Sequence, residues 1–396
     1  MINQTMMQLG KKRSVIRDIF EYANSRRAQI GAENVFDFSL GNPNVPAPEI
    51  VNRTIRELLD TQDDASLHGY TSAQGAAPVR KAIADNLNER FGTAFHADNL
   101  YMTCGAAASL RITLTALSAE GDEVIVFTPY FPEYGVFTST AGMKLVEVSS
   151  DAATFQIDFE KLGAALTPST KAVIVNSPNN PSGVVYTEET IRRLSDLLAQ
   201  REKEYGHPIY LISDEPYREL VYDGIEVPYL TKYYQNTIVC YSYSKSLSLP
   251  GERIGYILVP DEVCDSKDLY AAVCGAGRAL GYVCAPSMMQ QVVAKATGQV
   301  ADLNIYRENR DLIYNALTQY GFTCIHPDGA FYLFVKSPVE DAVAFYEKAK
   351  EFDLMLVPAD SFGTPGFVRI AYCVSTEMIR RSLPAFQKLA QAYGLS

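Results

Sequence analysis

Lys245 follows the apolar run "TIVCY" within the stretch "SYSKSLSLPGERIGY", Ser242 to Tyr256, and Arg253 comes eight residues later inside a Gly-bracketed turn. Lysine is rarely buried, so one directly behind a strand is either a solvated loop residue or a group with a task. A lysine nucleophile must be partly neutral or already tied to a carbonyl. The serines around Lys245 keep its surroundings small and polar. Arg253 would supply a fixed positive charge, suited to a phosphate.

Other apolar runs end in equally reactive company. "NLYMT" is followed by "CGAAASL", where Gly105 enters a helical pattern. The exposed N–H groups of a helix start can hold an anion, although a Gly before small residues also makes a plain tight turn. "KAVIVN" is followed by "SPNNPSG", in which two prolines and a Gly stiffen a loop that holds the Asn179 and Asn180 amides, or form an ordinary turn. "PIYLIS" is followed by "DEPY", which puts Asp214 in an apolar neighbourhood where it needs a partner. That partner could be a helix start, a metal or a protonated heterocycle. The four histidines, His68, His96, His207 and His326, have no metal-ligand spacing, and no metal is expected.

Positioning such groups takes a sheet. From about residue 98 to 260, short runs rich in Val, Ile and Tyr alternate with helical patterns. Runs apolar on both faces are covered by helices on both sides. The segment "TEETIRRLSDLLAQREKEYG" opens on a Thr cap with acids in its first turn and closes on Gly, which predicts a helix. The expected fold class is α/β, a large domain with a mostly parallel sheet and helices on both faces. After about 285 the pattern changes to a long or broken helical stretch and then mixed strands and helices. The expected organisation is an N-terminal segment, 1–45, joining a small α+β domain at 286–396, with a large ligand-binding domain at 46–285. In such sheets, ligands bind at the carboxyl ends of the strands.

Composition narrows the class further. The chain has 396 residues, 47% of them hydrophobic, with a net charge of −11. An acidic chain argues against a nucleic-acid surface. No apolar run approaches a membrane span, and the start reads as amphipathic helix rather than signal sequence. Seven scattered cysteines without a CxxC fit a reducing cytoplasm. Tryptophan is absent, so aromatic contacts fall to 25 Tyr and 18 Phe. "GAGRALG", Gly275 to Gly281, suggests a dinucleotide loop but has Leu280 where the last Gly or Ala belongs and no strand before it. It reads as a helix or turn lining the site, with no role assigned to Arg278.

The strand ends thus offer an anion cradle, an amide, a carboxylate, and a lysine with an arginine. A phosphate, a phenolic oxygen, a pyridine nitrogen and an aldehyde would use them all, which is the outline of pyridoxal 5′-phosphate. The stretch Ser242 to Gly255 resembles the lysine signature of the class I and II aminotransferases, the fold-type I pyridoxal-phosphate enzymes. "NSPNNPSG", "DEPY", "FVRIAY", "HGYTSAQGAAPVRKAIA" and "SLGNPNVPAP" resemble further segments of that family, in the family's order, over roughly residues 35–375.

The resemblance implies roles. Lys245 would carry the cofactor aldehyde and shuttle a proton. Asp214 would hold the ring nitrogen protonated, and Tyr217 and Asn180 would bind the ring's phenolic oxygen. The phosphate would rest on the N–H groups of Gly105 and Ala106, on Ser242 and on Arg253, with Tyr70 reaching the site of a partner subunit in a homodimer. Phe131 would stack on the ring, with Tyr130 as its alternative. Arg369 would clamp the substrate α-carboxylate, with Gly41 and Asn180 beside it. The activity implied is amino transfer from an L-amino acid to a 2-oxo acid by a ping-pong route. A carbon–sulfur β-lyase on the same scaffold is the alternative, and a non-catalytic ligand sensor is a third reading. Two positions depart from the family pattern. Ser182 replaces the usual Thr, and Ala107 stands where some bacterial aspartate aminotransferases place a lysine, which leaves dicarboxylic substrates and the amino donor open.

Overall fold

A computed structural model describes residues 2–11 and 14–395. The first strand, β1 (Phe36–Asp37), pairs with a strand near the far end of the chain. Seven strands then build the main sheet: β2 (Leu100–Thr103), β3 (Glu123–Thr128), β4 (Lys144–Ser149), β5 (Thr170–Asn176), β6 (Tyr210–Asp214), β7 (Thr237–Ser242) and β8 (Gly255–Leu258). Their spatial order is β2-β8-β7-β6-β5-β3-β4. The strands β3 to β7 pair in parallel, and β8 runs antiparallel between β2 and β7. The carboxyl ends of β2, β5, β6 and β7 therefore share one edge with the start of β8.

The both-faces apolar pattern has its expected cause. Val124 and Val126 face one apolar cluster, with Ile112 and Leu114 of the helix Ala106–Leu117, while Ile125 and Phe127 face another, with Leu194 and Leu198 of the helix Glu188–Tyr205. Alternate side chains of one strand point to opposite faces. The second helix starts as its sequence requires: the Thr187 hydroxyl accepts the Thr190 N–H at 3.1 Å, and Gly206 ends it in the left-handed region at φ 76°.

The remaining strands are β9 (Cys324–Ile325), β10 (Tyr332–Lys336), β11 (Leu354–Met355), β12 (Val357–Pro358) and β13 (Phe367–Ala371). They form an antiparallel sheet ordered β12-β13-β10-β9 and the two-stranded pair β1-β11. Ile19 and Ala23 of the helix Val15–Ile30 bury into the same cluster as Leu354, Phe334 and Phe386. The long helical stretch after 285 is broken into Ser287–Ala296 and Asn304–Gln319. The first piece, although beyond the expected break at 285, buries Met289, Val292 and Val293 with Leu100, Val239 and Leu258 of the seven-stranded sheet. Among the described residues no helix is long and apolar enough to cross a membrane.

Candidate active site

The shared strand edge opens onto a cavity of about 290 Å³. Gly41, Ala106, Phe131, Asn180, Asp214, Tyr217, Ser242, Lys245, Arg253 and Arg369 all line it. Segments as distant as 41 and 369 thus meet at one place.

Lys245 lies in the short helix Tyr243–Ser246 at the end of β7, and its Nζ donates to the Gly41 carbonyl at 2.6 Å. Its pKa is pushed down to about 8, first by burial; the Cys373 thiol acts the other way, while the charges of Arg369 and Arg253 add to the depression. Part of the lysine is therefore neutral near neutral pH, the state a nucleophile needs.

The helix Ala106–Leu117 begins at Gly105 with no side-chain cap, leaving its first N–H groups free to take an anion. Gly105 has φ 91°, and a Cβ there would come within 2.8 Å of the Arg253 guanidinium. Glycine thus satisfies both a left-handed backbone and a close approach. Arg253 donates to the Pro250 carbonyl at 2.9 Å and to Ser244 Oγ at 3.5 Å, and the Ser242 hydroxyl donates to Ser244 Oγ at 2.8 Å. Ser244 joins Ser242 and Arg253 at this end of the cavity.

Asp214 ends β6 fully buried. Tyr134 donates its hydroxyl to Asp214 Oδ2 at 2.5 Å, whereas Oδ1 is buried without a partner. Burial lifts the Asp214 pKa to about 7; the Tyr134 hydrogen bond opposes this and the charge of Glu215 adds to it. Behind it, Glu215 and Arg218 form a buried ion pair at 2.5 Å. A buried acceptor without a donor is costly, and a protonated ring nitrogen would satisfy it.

In the loop after β5, Asn176 Oδ1 accepts the Asn180 N–H at 2.8 Å. Asn179 turns inward instead, where its Oδ1 accepts from Ser182 Oγ at 2.8 Å. Of the two amides held by the prolines, only Asn180 reaches the cavity. Its Oδ1 accepts from Arg369 Nη1 at 3.1 Å, and Arg369 Nη2 donates to the Ser39 carbonyl at 2.5 Å. Arg369 is 2% exposed, lies between the rings of Tyr332 and Phe362, and keeps Nε unpartnered. No carboxylate among the described residues pairs with it. The Tyr217 hydroxyl meets that of Tyr332 at 2.9 Å. Burial raises the Tyr217 pKa well above the ordinary phenol value, so it remains a hydrogen-bond donor.

Phe131 lines the cavity, but Tyr130 does not: its hydroxyl donates to Glu147 at 2.8 Å. Tyr70 is 89% exposed and lies outside the cavity of its own chain. The segment Gly275 to Gly281 does not line the cavity, contrary to the sequence expectation. Its helix, Ser266–Ala279, packs against the outer side of Ala106–Leu117; Gly277 abuts the Tyr101 hydroxyl and Arg278 faces solvent. Cavity residues that the sequence reading did not single out include Tyr332, Ser244, Asn176 and Ile16, and Tyr134 stands directly behind the wall. Tyr134 lies one helical turn beyond Phe131, a spacing that was the available signal. Nothing in the pattern around Ile16 marks it.

Among the described residues, the cavity therefore holds three cationic groups, Lys245, Arg253 and Arg369, against one acid, Asp214. That excess calls for a doubly anionic ligand pair, a phosphate at one end and a carboxylate at the other. The profile of the family described as aminotransferase class I and II matches residues 33–386. The chain belongs to the class I and II aminotransferases. It is 30% identical to a probable aspartate aminotransferase of Methanocaldococcus jannaschii over 386 residues, covering 96% of this chain and 97% of that one. A crystal structure of an amino transferase from Eubacterium rectale superposes with a TM-score of 0.97 at 61% identity over 99% of both chains. The aspartate aminotransferase of Thermus thermophilus with maleate gives a TM-score of 0.84 at 28% identity, over 96% of this chain and 97% of that one. None of these three is named as a lyase. This aminotransferase uses pyridoxal phosphate, and its residues fit that cofactor: Asp214 Oδ1 is a buried acceptor without a donor, the helix start at Gly105 has no side-chain cap, and Lys245 lines the same cavity.

Proposed function

We propose that the enzyme moves an amino group from an L-amino acid to a 2-oxo acid in two alternating half-reactions at one site. One observation carries this reading. Among the described residues, the cavity has a single buried arginine without an anionic partner, Arg369, and a single lysine. Both substrates carry a carboxylate next to the reacting carbon, so they must take turns on Arg369. Initial rates at several concentrations of both substrates test the order. Parallel double-reciprocal lines are expected, and intersecting lines would overturn it.

When bound, pyridoxal phosphate supplies an electron-withdrawing ring that takes up the charge left as the substrate's Cα–H bond breaks. The protein's groups do the rest. Lys245 would hold the aldehyde carbon, and its amine would carry a proton away from the substrate's Cα and back. Its depressed pKa suits it to accept that proton. Asp214 keeps the ring nitrogen protonated. Tyr217 and the Asn180 amide donate to the phenolic oxygen, and Phe131 covers one face of the ring. Gly105 and Ala106 N–H groups, Ser242, Ser244 and Arg253 hold the phosphate. Arg369, backed by Asn180 and the Gly41 segment, clamps the carboxylate.

The exposed ring of Tyr70 supports a homodimer in which it reaches the partner's phosphate. Mixing Lys245→Ala with Tyr70→Phe chains tests this, since hybrid dimers would regain one intact site. The reading divides the chain into a small domain from both chain ends and a large cofactor-binding domain, with Ser287–Ala296 packing on the large side. It places the enzyme in the cytoplasm, in keeping with seven free cysteines.

A further inference from the structure

The two oxygens of Asp214 are not equivalent. Oδ2 is held by Tyr134 at 2.5 Å, while Oδ1 has no protein partner. The Asp214 main chain is fixed as well, because its carbonyl accepts from Asn176 Nδ2 at 3.0 Å. Tyr134 is buried and cannot swing aside. Phe131 meets its ring edge-on at 5.7 Å, and the Tyr130 ring lies nearly parallel to it at 6.3 Å. Burial and the Asp214 charge hold its hydroxyl far above the ordinary phenol range, so it stays a donor. Tyr134 also sits in the helix Glu133–Thr140 directly after Phe131. The segment that brings Phe131 to the cavity thus runs straight into the helix carrying the donor that grips the acid.

We propose that Tyr134 is a positioning residue for the cofactor's ring nitrogen: by binding Oδ2 it turns Oδ1 to the cavity and biases Asp214 toward the carboxylate form, an acceptor only. This rests on the proposed pairing of Asp214 with that nitrogen. Without the hydroxyl, a carboxyl so deeply buried takes up a proton more readily. A protonated Asp214 would be a donor facing a donor. The same loss would free the carboxyl to rotate, so that neither oxygen stays aimed at the ring.

The test compares binding of pyridoxal phosphate with that of a deaza analogue, in which a carbon replaces the ring nitrogen, to ligand-free protein. The wild type is expected to prefer the natural cofactor. Tyr134→Phe is expected to lose about tenfold or more of that preference, the worth of a charge-assisted hydrogen bond, with little change in affinity for the analogue. A residue that only fills space would weaken both ligands alike and leave the ratio intact, which would overturn the proposal. Asp214→Asn separates the two levels. If it leaves the preference unchanged, the Asp214 pairing itself fails; if it abolishes the preference while Tyr134→Phe does not, only the role of Tyr134 fails. Should Tyr134→Phe not fold, 4-methylphenylalanine and 4-aminophenylalanine at position 134 keep the shape, and only the second donates. Recovery of the preference with the amino group alone supports the proposal, and equal behaviour of the two sinks it.

Discussion

Replacing Arg369 by lysine keeps the charge and removes the fork. The guanidinium has five N–H donors. Two are spent on Asn180 Oδ1 and the Ser39 carbonyl, and Nε–H is among those left over. The remaining donors can meet a carboxylate with two parallel bonds, whereas an ammonium meets it as a point. A hydrogen bond to a charged group is worth about 1.5–3 kcal/mol. Losing one of the pair should therefore weaken carboxylate binding roughly 10- to 150-fold. The assay is absorbance titration of the holoenzyme with an unreactive α-methyl amino acid. Cofactor affinity is read alongside: no hydrogen bond of Arg369 lies at the Gly105–Arg253 end, so the cofactor should lose less than the analogue even though Asn180 serves both. Substrate-analogue affinity within about twofold of wild type would refute the clamp, as would an equal loss for cofactor and analogue.

Other outcomes follow from single groups. Asp214 is raised on folding from 3.8 to about 7, so its protonated form favours the ligand-free fold below the unfolded value, and that contribution is lost as pH rises through the folded one. Asp214→Asn should remove this slope, worth about 4 kcal/mol at most, in denaturant titrations of ligand-free protein at pH 5 and pH 8. Gly105→Ala forces a side chain into the left-handed region, at a cost of about 1–2 kcal/mol, and crowds Arg253. Its cofactor affinity, read by equilibrium dialysis, should drop about tenfold while the carboxylate end is spared. Glu215→Gln leaves the buried Arg218 without its counter-charge and should cost about 3–5 kcal/mol of stability, seen in the denaturant midpoint.

Which residues were readable from sequence follows from where their neighbours lie. Asn180, Asp214 and Lys245 come directly after apolar runs, so an abrupt change from buried strand to polar loop marks them. Gly105 is legible for the same reason, as a Gly between a strand and a helix. Arg369 is different. A strand arginine ordinarily reads as half of a surface ion pair, and only the resemblance of "FVRIAY" pointed to it. Its partners explain why: Ser39 lies 330 residues away and Asn180 lies 189 away, distances along the chain that no local pattern encodes. Tyr332 is hidden likewise, since it matters through Tyr217 and through Gly41, where a Cβ would stand 2.0 Å from its hydroxyl. The misreading of Gly275 to Gly281 is instructive in the other direction. Small residues spaced along a helix here serve close packing against Tyr101, not a ligand.

The antiparallel strand β8 has a consequence for how Lys245 and Arg253 came to be only eight residues apart. A parallel neighbour of β7 would need a crossover of about a dozen residues or more before re-entering the sheet. Because β8 turns straight back, the chain stays at one edge, and the pair Ser242↔Gly255 is a single rung of the ladder. Lys245 thus lies three residues beyond one end of that rung, and Arg253 two residues before the other. The spacing of two neighbouring strands therefore limits how far apart Lys245 and Arg253 can lie, and the buried Ser246 and Leu247 fix the turn between them.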